Sequence, residues 1–289
     1  MHPQEMNHIK TFEAHRPLLF SIAYRMLGSV MEAEDMVQET YLRYVSTPIN
    51  TIESPKAFLS TIITRLCLDH LKSAKVRREE YIGPWLPEPL RTGNAAATPI
   101  EKYEMISMAA LVLLENLSPL ERAVFLLREV FDYSYTEIAQ IVEKSEENCR
   151  QSYHRAKQHL RQNRPRFKTS AAVQQKLVKR FLQAIQTGDV DSLKSLLAND
   201  VTLWSDGGGK APAARHPLVG RDRITQLLVV SYRKRPDNSD IELAEINGVL
   251  SILFRVENQV VGVMSLEGDD TGITGIWTIW NPDKLQHLH

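Results

Sequence analysis

Apolar positions recur at helical spacing through the first eighty residues and predict an all-helical domain, residues 1–80. Gly28 ends one helix, and Ser29 with Glu32 forms a capping box that opens the next. That second helix continues to about Val45. A longer helix is predicted to start at Ser54-Pro55, and its apolar positions are Phe58, Leu59, Ile62, Ile63, Leu66, Cys67, Leu71 and Ala74.

A linker and a second helical domain follow. Residues 81–110 are predicted as the linker because "YIGPWLPEPLRTGNAAAT" carries three prolines and two glycines and cannot continue a helix. Residues 111–168 form the second helical domain, in which Ser118 and Glu121 make another capping box. The two helical domains are therefore joined by an extended segment.

The pattern changes again in residues 170–289, which are predicted to form an α+β domain. The expected elements are a helix from about Ala172 to Gln186, a short helix reaching Leu197, a strand over Val201–Trp204 and a helix over Arg221–Arg233. Four strand-like runs follow, "IELAEI", "VLSILFRV", "VVGVMSL" and "GITGIWTIW", separated by turn sequences such as Asn247-Gly248. Helices followed by an antiparallel meander suggest a curved sheet wrapped round a helix.

Composition excludes several classes of protein. Apolar residues make up 43% of the 289, yet no run is long enough to span a membrane, and the first ten residues do not resemble a secretory signal. We therefore expect a cytoplasmic protein. Cys67 and Cys149 fall on apolar helix faces without a partner at metal-ligand spacing, so they are expected to be core thiols, and neither a metal nor a cofactor is expected.

The helix that ends near Val45 has two distinct faces. Its expected buried face consists of Met36, Val37, Thr40, Tyr41, Tyr44 and Val45. Its opposite face carries Asp35, Gln38, Glu39, Leu42 and Ser46. A leucine among acidic residues fits either a solvated face with one exposed apolar residue or a surface that docks on another protein.

The segment "SYTEIAQIVEKSEENCRQSYHRAKQHLR" has the pattern of a helix-turn-helix. Thr136 is predicted to cap its first helix and Ser145 its second, with Glu143 and Lys144 in the turn where glycine is common. The inner face of the second helix is Cys149, Tyr153, Ala156 and Leu160. Its outer face, suited to bases and phosphates, is Glu147, Asn148, Gln151, His154, Arg155 and Gln158, flanked by Arg150 and Lys157. An ordinary helical hairpin with a basic face is the alternative.

These motifs resemble a known family. "AEDMVQETYLRYV" with "SPKAFLSTIITRLCLDHLKSAKVRR" resembles region two of the extracytoplasmic-function sigma factors, and "LSPLERAVFLLREVFDYSYTEIAQIVEKSEENCRQSYHRAKQHL" resembles their region four. The resemblance implies a transcription-initiation factor that binds core RNA polymerase and promoter DNA. It places region two on the β′ clamp helices through Asp35, Gln38, Glu39 and Leu42, and region four at the minus-thirty-five element and the β flap.

The resemblance also assigns the basic end of the long helix to the minus-ten element. Its cations can neutralise phosphates beside the strands that must separate, and they are Arg65, Lys72, Lys75, Arg77 and Arg78. In the family, a base-capturing pocket lies near the loop ahead of this helix, here Ser46 to Glu53. That loop has no aromatic residue, so base capture would rely on polar groups such as Asn50.

The motifs "YIGPWLPEPL", "WSDGGGK" and "NPDKL" resemble those of sigma factors with a SnoaL-like C-terminal domain, a fold related to nuclear transport factor two. The resemblance implies a cone-shaped α+β domain that regulates the sigma core in cis. Neither an obligatory anti-sigma protein nor an enzymatic activity is then expected. The expected interdomain contact residues are Trp85, Pro87, Asp206, Gly207, Gly208, Gly209, Lys210, Asn281, Pro282, Asp283 and Lys284.

"WSDGGGK" is not a phosphate-binding loop. Its glycines are contiguous with Lys210 instead of being separated as in a P-loop, and Pro212 and Pro217 prevent a helix from starting there. Glycines permit close backbone approach, and Asp206 and Lys210 are expected to place one charge of each sign at the loop tip. The segment is therefore predicted to contact the "GPWLPEP" linker.

Two other functions stay open. The tail could be a small-molecule sensor or an isomerase-like enzyme, with an acid-base pair of Asp206 and His216 and a pocket lined by Trp204, His216, Tyr232, Trp277 and Trp280. Alternatively, the chain could be a plain helix-turn-helix regulator. That alternative predicts duplex binding without polymerase and leaves the acidic helix face unexplained.

Overall fold

A computed structural model describes residues 3–48, 51–93, 107–162, 171–269 and 271–288, with side chains described for all of these except 3–7, 74–79 and 171. The chain divides into two compact units. The first contains Met1–Glu79 and Ala110–Arg164, and the second contains Glu80–Gly93, Ser107–Ala109 and Pro165–His289.

The first unit begins with three helices, α1 (Pro3–Leu27), α2 (Val30–Val45) and α3 (Pro55–Glu79). Gly28 adopts a positive φ of 70°, and the Ser29 hydroxyl accepts a hydrogen bond from the Glu32 amide at 3.1 Å. The predicted break between the first two helices is therefore confirmed. None of the helices among the described residues is long and apolar enough to cross a membrane.

Four further helices follow: α4 (Met108–Glu115), α5 (Pro119–Glu129), α6 (Tyr135–Val142) and α7 (Glu146–Gln162). The capping box of Ser118 and Glu121 is present at the start of α5. The prediction that Thr136 caps α6 was wrong. Ser134 is the N-cap because it forms a reciprocal capping box with Glu137, and the Thr136 hydroxyl instead donates to Glu146.

The helices of the two predicted helical domains pack on one another within this unit. Arg122 of α5 is 3% exposed and donates to the Met26 carbonyl at the end of α1 and to Glu115 of α4. Burial lowers the pKa of Arg122 to about 10. The Tyr133 hydroxyl donates to Ser60 of α3 at 2.7 Å, so polar contacts and apolar packing both join the two halves.

The described residues of the second unit form one mixed sheet and three α-helices. In chain order its elements are β1 (Arg91–Thr92), α8 (Ala171–Thr187), α9 (Val190–Leu196), β2 (Leu197–Asp206), β3 (Leu218–Val219), α10 (Arg221–Arg233), β4 (Ser239–Ile246), β5 (Val249–Val256), β6 (Gln259–Asp269) and β7 (Gly272–Ile279). The strand order is β1-β4-β5-β6-β7-β2-β3, and neighbours are antiparallel except β2 with β7. The predicted meander and its hairpin turns are confirmed.

The helices of this unit cover one face of the sheet. Phe181 of α8 and Ile224 of α10 are fully buried against strand residues such as Met264 and Leu266. The expected fold class, helical modules followed by an α+β domain, is thus confirmed. Two short strands were missed. Leu218–Val219 is a strand through its pairing with β2, and Arg91–Thr92 lies in the predicted linker and is a strand only through its pairing with β4.

Candidate docking, DNA-binding and regulatory surfaces

The α2 helix presents the expected polar face. Asp35, Gln38 and Leu42 are exposed, with Leu42 59% exposed, whereas Glu39 is partly exposed and pairs with Arg43 at 2.9 Å. Val45 was wrongly predicted to be buried. It occupies the last position of α2 and is 38% exposed.

Met31 extends this face by one further turn. It is 55% exposed and precedes Asp35 by four residues, so Met31, Asp35, Gln38 and Leu42 lie at i, i+4, i+7 and i+11. We call these four residues the α2 stripe. The sequence analysis missed Met31 because it considered the helix only from Asp35, although the same spacing identifies it.

The cations assigned to α3 have different environments. Lys72 is exposed and pairs with Asp69 at 2.8 Å. Arg65 is held by α6 and by the turn that follows it. Asn50 and the side chains of Lys75, Arg77 and Arg78 lie outside the described residues.

The outer face of α7 is at the surface. Cys149, Ser152 and Ala156 are buried beneath it. The exposed residues on the outer face are Glu147, Asn148, Arg150, Gln151, His154, Arg155 and Gln158, and Lys157 is partly buried. The burial pattern is the one that the helical wheel predicts for a recognition helix.

Neighbouring acids hold three of the cations of α7. Arg150 pairs with Glu146 at 2.7 Å and lies over the Tyr135 ring, 5.2 Å from its centroid. Arg155 pairs with Glu121 at 2.8 Å. Lys157 pairs with Glu129 at 2.9 Å. These contacts orient the cations on the surface before any nucleic acid is bound.

Asp206 ends β2 and is fully buried, so its predicted place at the tip of the glycine loop was wrong. Its Oδ1 accepts from the Tyr81 hydroxyl at 2.6 Å and from the Gly208 amide at 3.1 Å. Its Oδ2 accepts from the Leu86 amide and from Lys284 Nζ, both at 2.8 Å. Four donors therefore satisfy one buried carboxylate, and two of them belong to the linker.

Lys284 is the second charge of this cluster and is 5% exposed. Its ammonium group also donates to the Leu86 carbonyl and lies 4.0 Å from the centroid of the Trp85 ring. Burial and the Asp206 carboxylate raise the pKa of Tyr81 well above its usual value. Lys284 therefore joins the C-terminal segment to the linker by charge, hydrogen bond and ring contact.

The glycine loop approaches the linker closely. Gly209 has a φ of 72°, and a Cβ built there would lie 2.8 Å from the Ile82 side chain. A Cβ at Gly208 would lie 2.3 Å from Asn281, whose side-chain amide donates to the Tyr81 hydroxyl at 2.8 Å. Glycine is thus required both by backbone conformation and by the short distances.

The remaining predicted contact residues surround this cluster. Lys210 is exposed and pairs with Asp283 at 2.5 Å, which makes Lys210 the only loop charge near the tip among the described residues 206–210. Asn281 caps the single turn Pro282–Lys284 by accepting from the Asp283 amide at 3.1 Å. Pro87 is buried in the linker, and a Cβ at Gly207 would lie 2.3 Å from the Ala211 carbonyl oxygen.

The proposed pocket and acid-base pair do not assemble. Asp206 is occupied by the four donors above, and His216 is exposed. The Trp204 and Trp277 rings stack at 5.2 Å on the sheet face away from the helices. Trp280 instead packs on Phe254, which contacts the core beneath the helices. The aromatic residues therefore lie on opposite faces of the sheet.

Comparison with known proteins decides the family. The profile of sigma-70 region 2 matches residues 11–77, and that of sigma-70, region 4 matches residues 107–160. ECF RNA polymerase sigma factor SigJ of Mycobacterium tuberculosis is 37% identical over 96% of this chain and 93% of its own length. The chain belongs to the extracytoplasmic-function sigma factors. Family membership assigns it to transcription initiation.

Other comparisons agree with this membership. The crystal structure of SigJ from Mycobacterium tuberculosis superposes on this sigma factor with a TM-score of 0.78 at 33% sequence identity, covering 96% of this chain and 97% of SigJ. The ferric citrate uptake sigma factor FecI of Escherichia coli is 31% identical over 45% of this chain and 76% of its own length. The similarity to SigJ therefore extends through the α+β domain, whereas the match to FecI covers less than half of this chain.

Proposed function

We propose that the sigma factor binds the β′ clamp helices of core RNA polymerase through the α2 stripe together with Glu39. Leu42 and Met31 supply apolar area that is exposed in the free chain, and Asp35 supplies a charge beside it. In protein interfaces, a few residues usually contribute most of the binding energy, and an apolar side chain ringed by polar residues is a common arrangement of such residues. The stripe is therefore suited to a basic helical partner.

The promoter contacts divide between α3 and α7. We assign the minus-ten element to α3, where Arg65, Lys72, Lys75, Arg77 and Arg78 supply phosphate contacts and Asn50 lies in the preceding loop. We assign the minus-thirty-five element to α7, where Asn148 and Gln151 are exposed and can read base edges. We also expect region four to contact the β flap of the polymerase, and this expectation rests only on membership of the family.

The C-terminal domain is proposed to regulate the sigma core in cis through the linker. The supporting observation is that one buried carboxylate, Asp206, binds both Tyr81 and Leu86 of the linker and Lys284 of the C-terminal segment. The linker conformation thus depends on this domain. We expect no obligatory anti-sigma protein and no catalytic role. The aromatic residues that were expected to line a pocket lie on opposite faces of the sheet, which favours neither a small-molecule sensor nor an enzyme.

The observation that carries the proposal is the presence on one chain of the exposed α2 stripe and the exposed polar face of α7. Run-off transcription with purified core polymerase tests it. We expect a promoter-dependent transcript that requires both core and this protein. Tight binding to duplex operator without any transcript would instead support the plain helix-turn-helix regulator, which has no use for the α2 stripe.

A further inference from the structure

Arg65 connects the two helical halves of the first unit. Its Nε donates to the Ile141 carbonyl at 2.9 Å, and its Nη2 donates to the Gln140 carbonyl at 2.8 Å. Its Nη1 lies 2.9 Å from Oε1 of Glu143. All three guanidinium nitrogens of an α3 residue therefore bind the C-terminal end of α6, the first helix of the helix-turn-helix.

This geometry has a clear electrostatic basis. The last turn of a helix leaves carbonyl groups without intrahelical partners and carries a partial negative charge. Gln140 and Ile141 belong to that turn in α6. A planar guanidinium group can donate to two carbonyls and one carboxylate at once. The compact ammonium group of a lysine at this position would be less suited to three such partners. Arg65 of α3 therefore caps the C-terminal end of α6.

Glu143 occupies an unusual backbone conformation. Its φ of 54° and ψ of 49° are left-handed, a region that favours glycine and is uncommon for a residue with a long side chain. Glycine is also common in the turn of a helix-turn-helix. The ion pair with Arg65 gives a reason for glutamate at this position, since glycine would satisfy the backbone but could not bind the guanidinium.

We propose that Arg65 and Glu143 form a latch that holds region four against region two, and that Arg65 must leave this latch before α3 can bind promoter phosphates. The inference rests on the proposed function of α3 in DNA binding. It extends that function by assigning one side chain to two mutually exclusive partners. The closed chain would then be limited in its contact with the minus-ten element.

The two uses of Arg65 exclude one another because the Glu143 carboxylate bound to Nη1 would repel a phosphate placed on the same guanidinium group. Three of the five guanidinium N–H groups are also engaged with α6, so these bonds hold Arg65 in an orientation set by α6 and not by DNA. The surrounding contacts reinforce the closed state. Tyr133 donates to Ser60 of α3, and Lys56 of α3 lies 5.1 Å from the centroid of the Tyr133 ring.

Three variants separate the latch from effects on folding. Glu143→Gln removes the charge and keeps the strained backbone. Glu143→Gly removes the charge and relieves the backbone, so its melting temperature should equal or exceed that of Glu143→Gln. Arg65→Gln removes both the latch and the phosphate contact. Lys144→Gln is the matched control, because Lys144 is an exposed neighbour outside the latch.

Energy transfer between fluorophores on introduced cysteines at Glu13 of α1 and Gln162 of α7 reports the opening. Both positions are exposed, and the native Cys67 and Cys149 are buried, so labelling is selective. We expect both Glu143 variants and Arg65→Gln to raise the open-to-closed ratio about threefold, equivalent to about 0.7 kcal/mol, because the ion pair is exposed. Lys144→Gln should leave the transfer efficiency unchanged.

Run-off transcription with core polymerase provides the second measurement. Glu143→Gly and Glu143→Gln should increase the initial rate, whereas Arg65→Gln should open equally and yet give less transcript than wild type. Unchanged energy transfer in Glu143→Gly and Arg65→Gln would overturn the latch, and opening without faster initiation in the Glu143 variants would overturn its regulatory role. If wild type itself gave no transcript, the proposed function would fail, and energy transfer would still decide whether the latch exists.

Discussion

Asp206 and Lys284 form an ion pair of 2.8 Å in which the Asp206 side chain is fully buried and the Lys284 side chain is 7% exposed. The residues lie 78 positions apart, one at the end of β2 and the other in the C-terminal turn. Both also bind the backbone of Leu86, so the pair closes a three-way junction of loop, tail and linker. A change at either residue therefore affects the linker as well as the domain.

Breaking this pair should destabilise the second unit strongly. Lys284→Met leaves the Asp206 carboxylate buried without its cation, which typically costs about 3–5 kcal/mol. Chemical denaturation followed by Trp fluorescence measures the loss. The matched control is Lys210→Ala, which removes an exposed pair with Asp283 and should cost less than about 1 kcal/mol. A similar small loss in both variants would show that the buried pair contributes little.

The sequence predicted which motifs meet here but not how they meet. "DGGGK", "NPDKL" and "WLPEP" were all expected to be in contact, and they are. Local spacing cannot show that Asp206 is buried, because three of its four partners are distant in the chain: Tyr81 and Leu86 in the linker and Lys284 in the C-terminal segment. The same limit explains β1, where two linker residues become a strand only through their hydrogen bonds to β4.

Helix boundaries were predicted more accurately than tertiary contacts, because residues close together in the sequence determine where a helix begins and ends. The limits of α2 and the start of α3 follow from Gly28, Ser29 and Pro55, and the structure has them as predicted. The error at Thr136 arose because two hydroxyl residues lie close together and only Ser134 has a glutamate three positions later. Arg65 was assigned to the basic end of the long helix, and its tertiary partners in α6 could not be read from that pattern.

The α2 stripe provides a test of polymerase docking. The double variant Gln38→Ala with Leu42→Ala should lose core-polymerase binding in a pull-down and keep the melting temperature of wild type, because both residues are exposed. Met31→Ala alone should weaken binding to a smaller extent. Val261→Ala, an exposed apolar residue on β6, is the control. Retained affinity in the double variant would remove the stripe from the interface.

The α7 cations should differ in their contribution to promoter binding. If Arg150 contacts a base, Arg150→Ala should cost about 1–3 kcal/mol and change preference at one position of the minus-thirty-five element. Arg155→Ala also frees Glu121, whose pKa is lowered by hydrogen bonds from Ser118 and Arg155 despite the opposing effect of burial. Binding measured against a panel of single-base changes at several salt concentrations distinguishes base from phosphate contacts. A uniform loss with a shallower salt slope would identify a phosphate contact.

Glu267 should make the stability of the second unit depend on pH. Burial raises the pKa of Glu267 from 4.5 to about 7, so the folded state binds a proton more tightly than the unfolded state. Stability contributed by the protonated group is therefore present below pH 4.5 and is lost as pH rises to about 7. Glu267→Gln should remove this dependence and stabilise the domain at pH 8 by roughly 3 kcal/mol. Glu257→Gln, at an exposed turn, is the control, and parallel pH curves for all three proteins would contradict the prediction.

Small changes in the C-terminal domain and removal of the whole domain should change transcription in opposite directions. Lys210→Ala removes the ion pair between the glycine loop and Asp283 and leaves the buried pair of Asp206 and Lys284 in place. Removal of the residues after Trp280 deletes Lys284 as well and should destabilise the second unit as Lys284→Met does. Both changes should release a closed state and raise transcription. Truncation near Thr169 removes the whole domain. The buried residues Leu86 and Pro87 then lose the surface on which they pack, and a flexible tether lowers the effective concentration of one DNA-binding module beside the other. Transcription should consequently fall below wild type. Run-off assays with matched protein amounts measure both effects, and equal activity in wild type, Lys210→Ala and the truncation would show that the tail does not regulate the core.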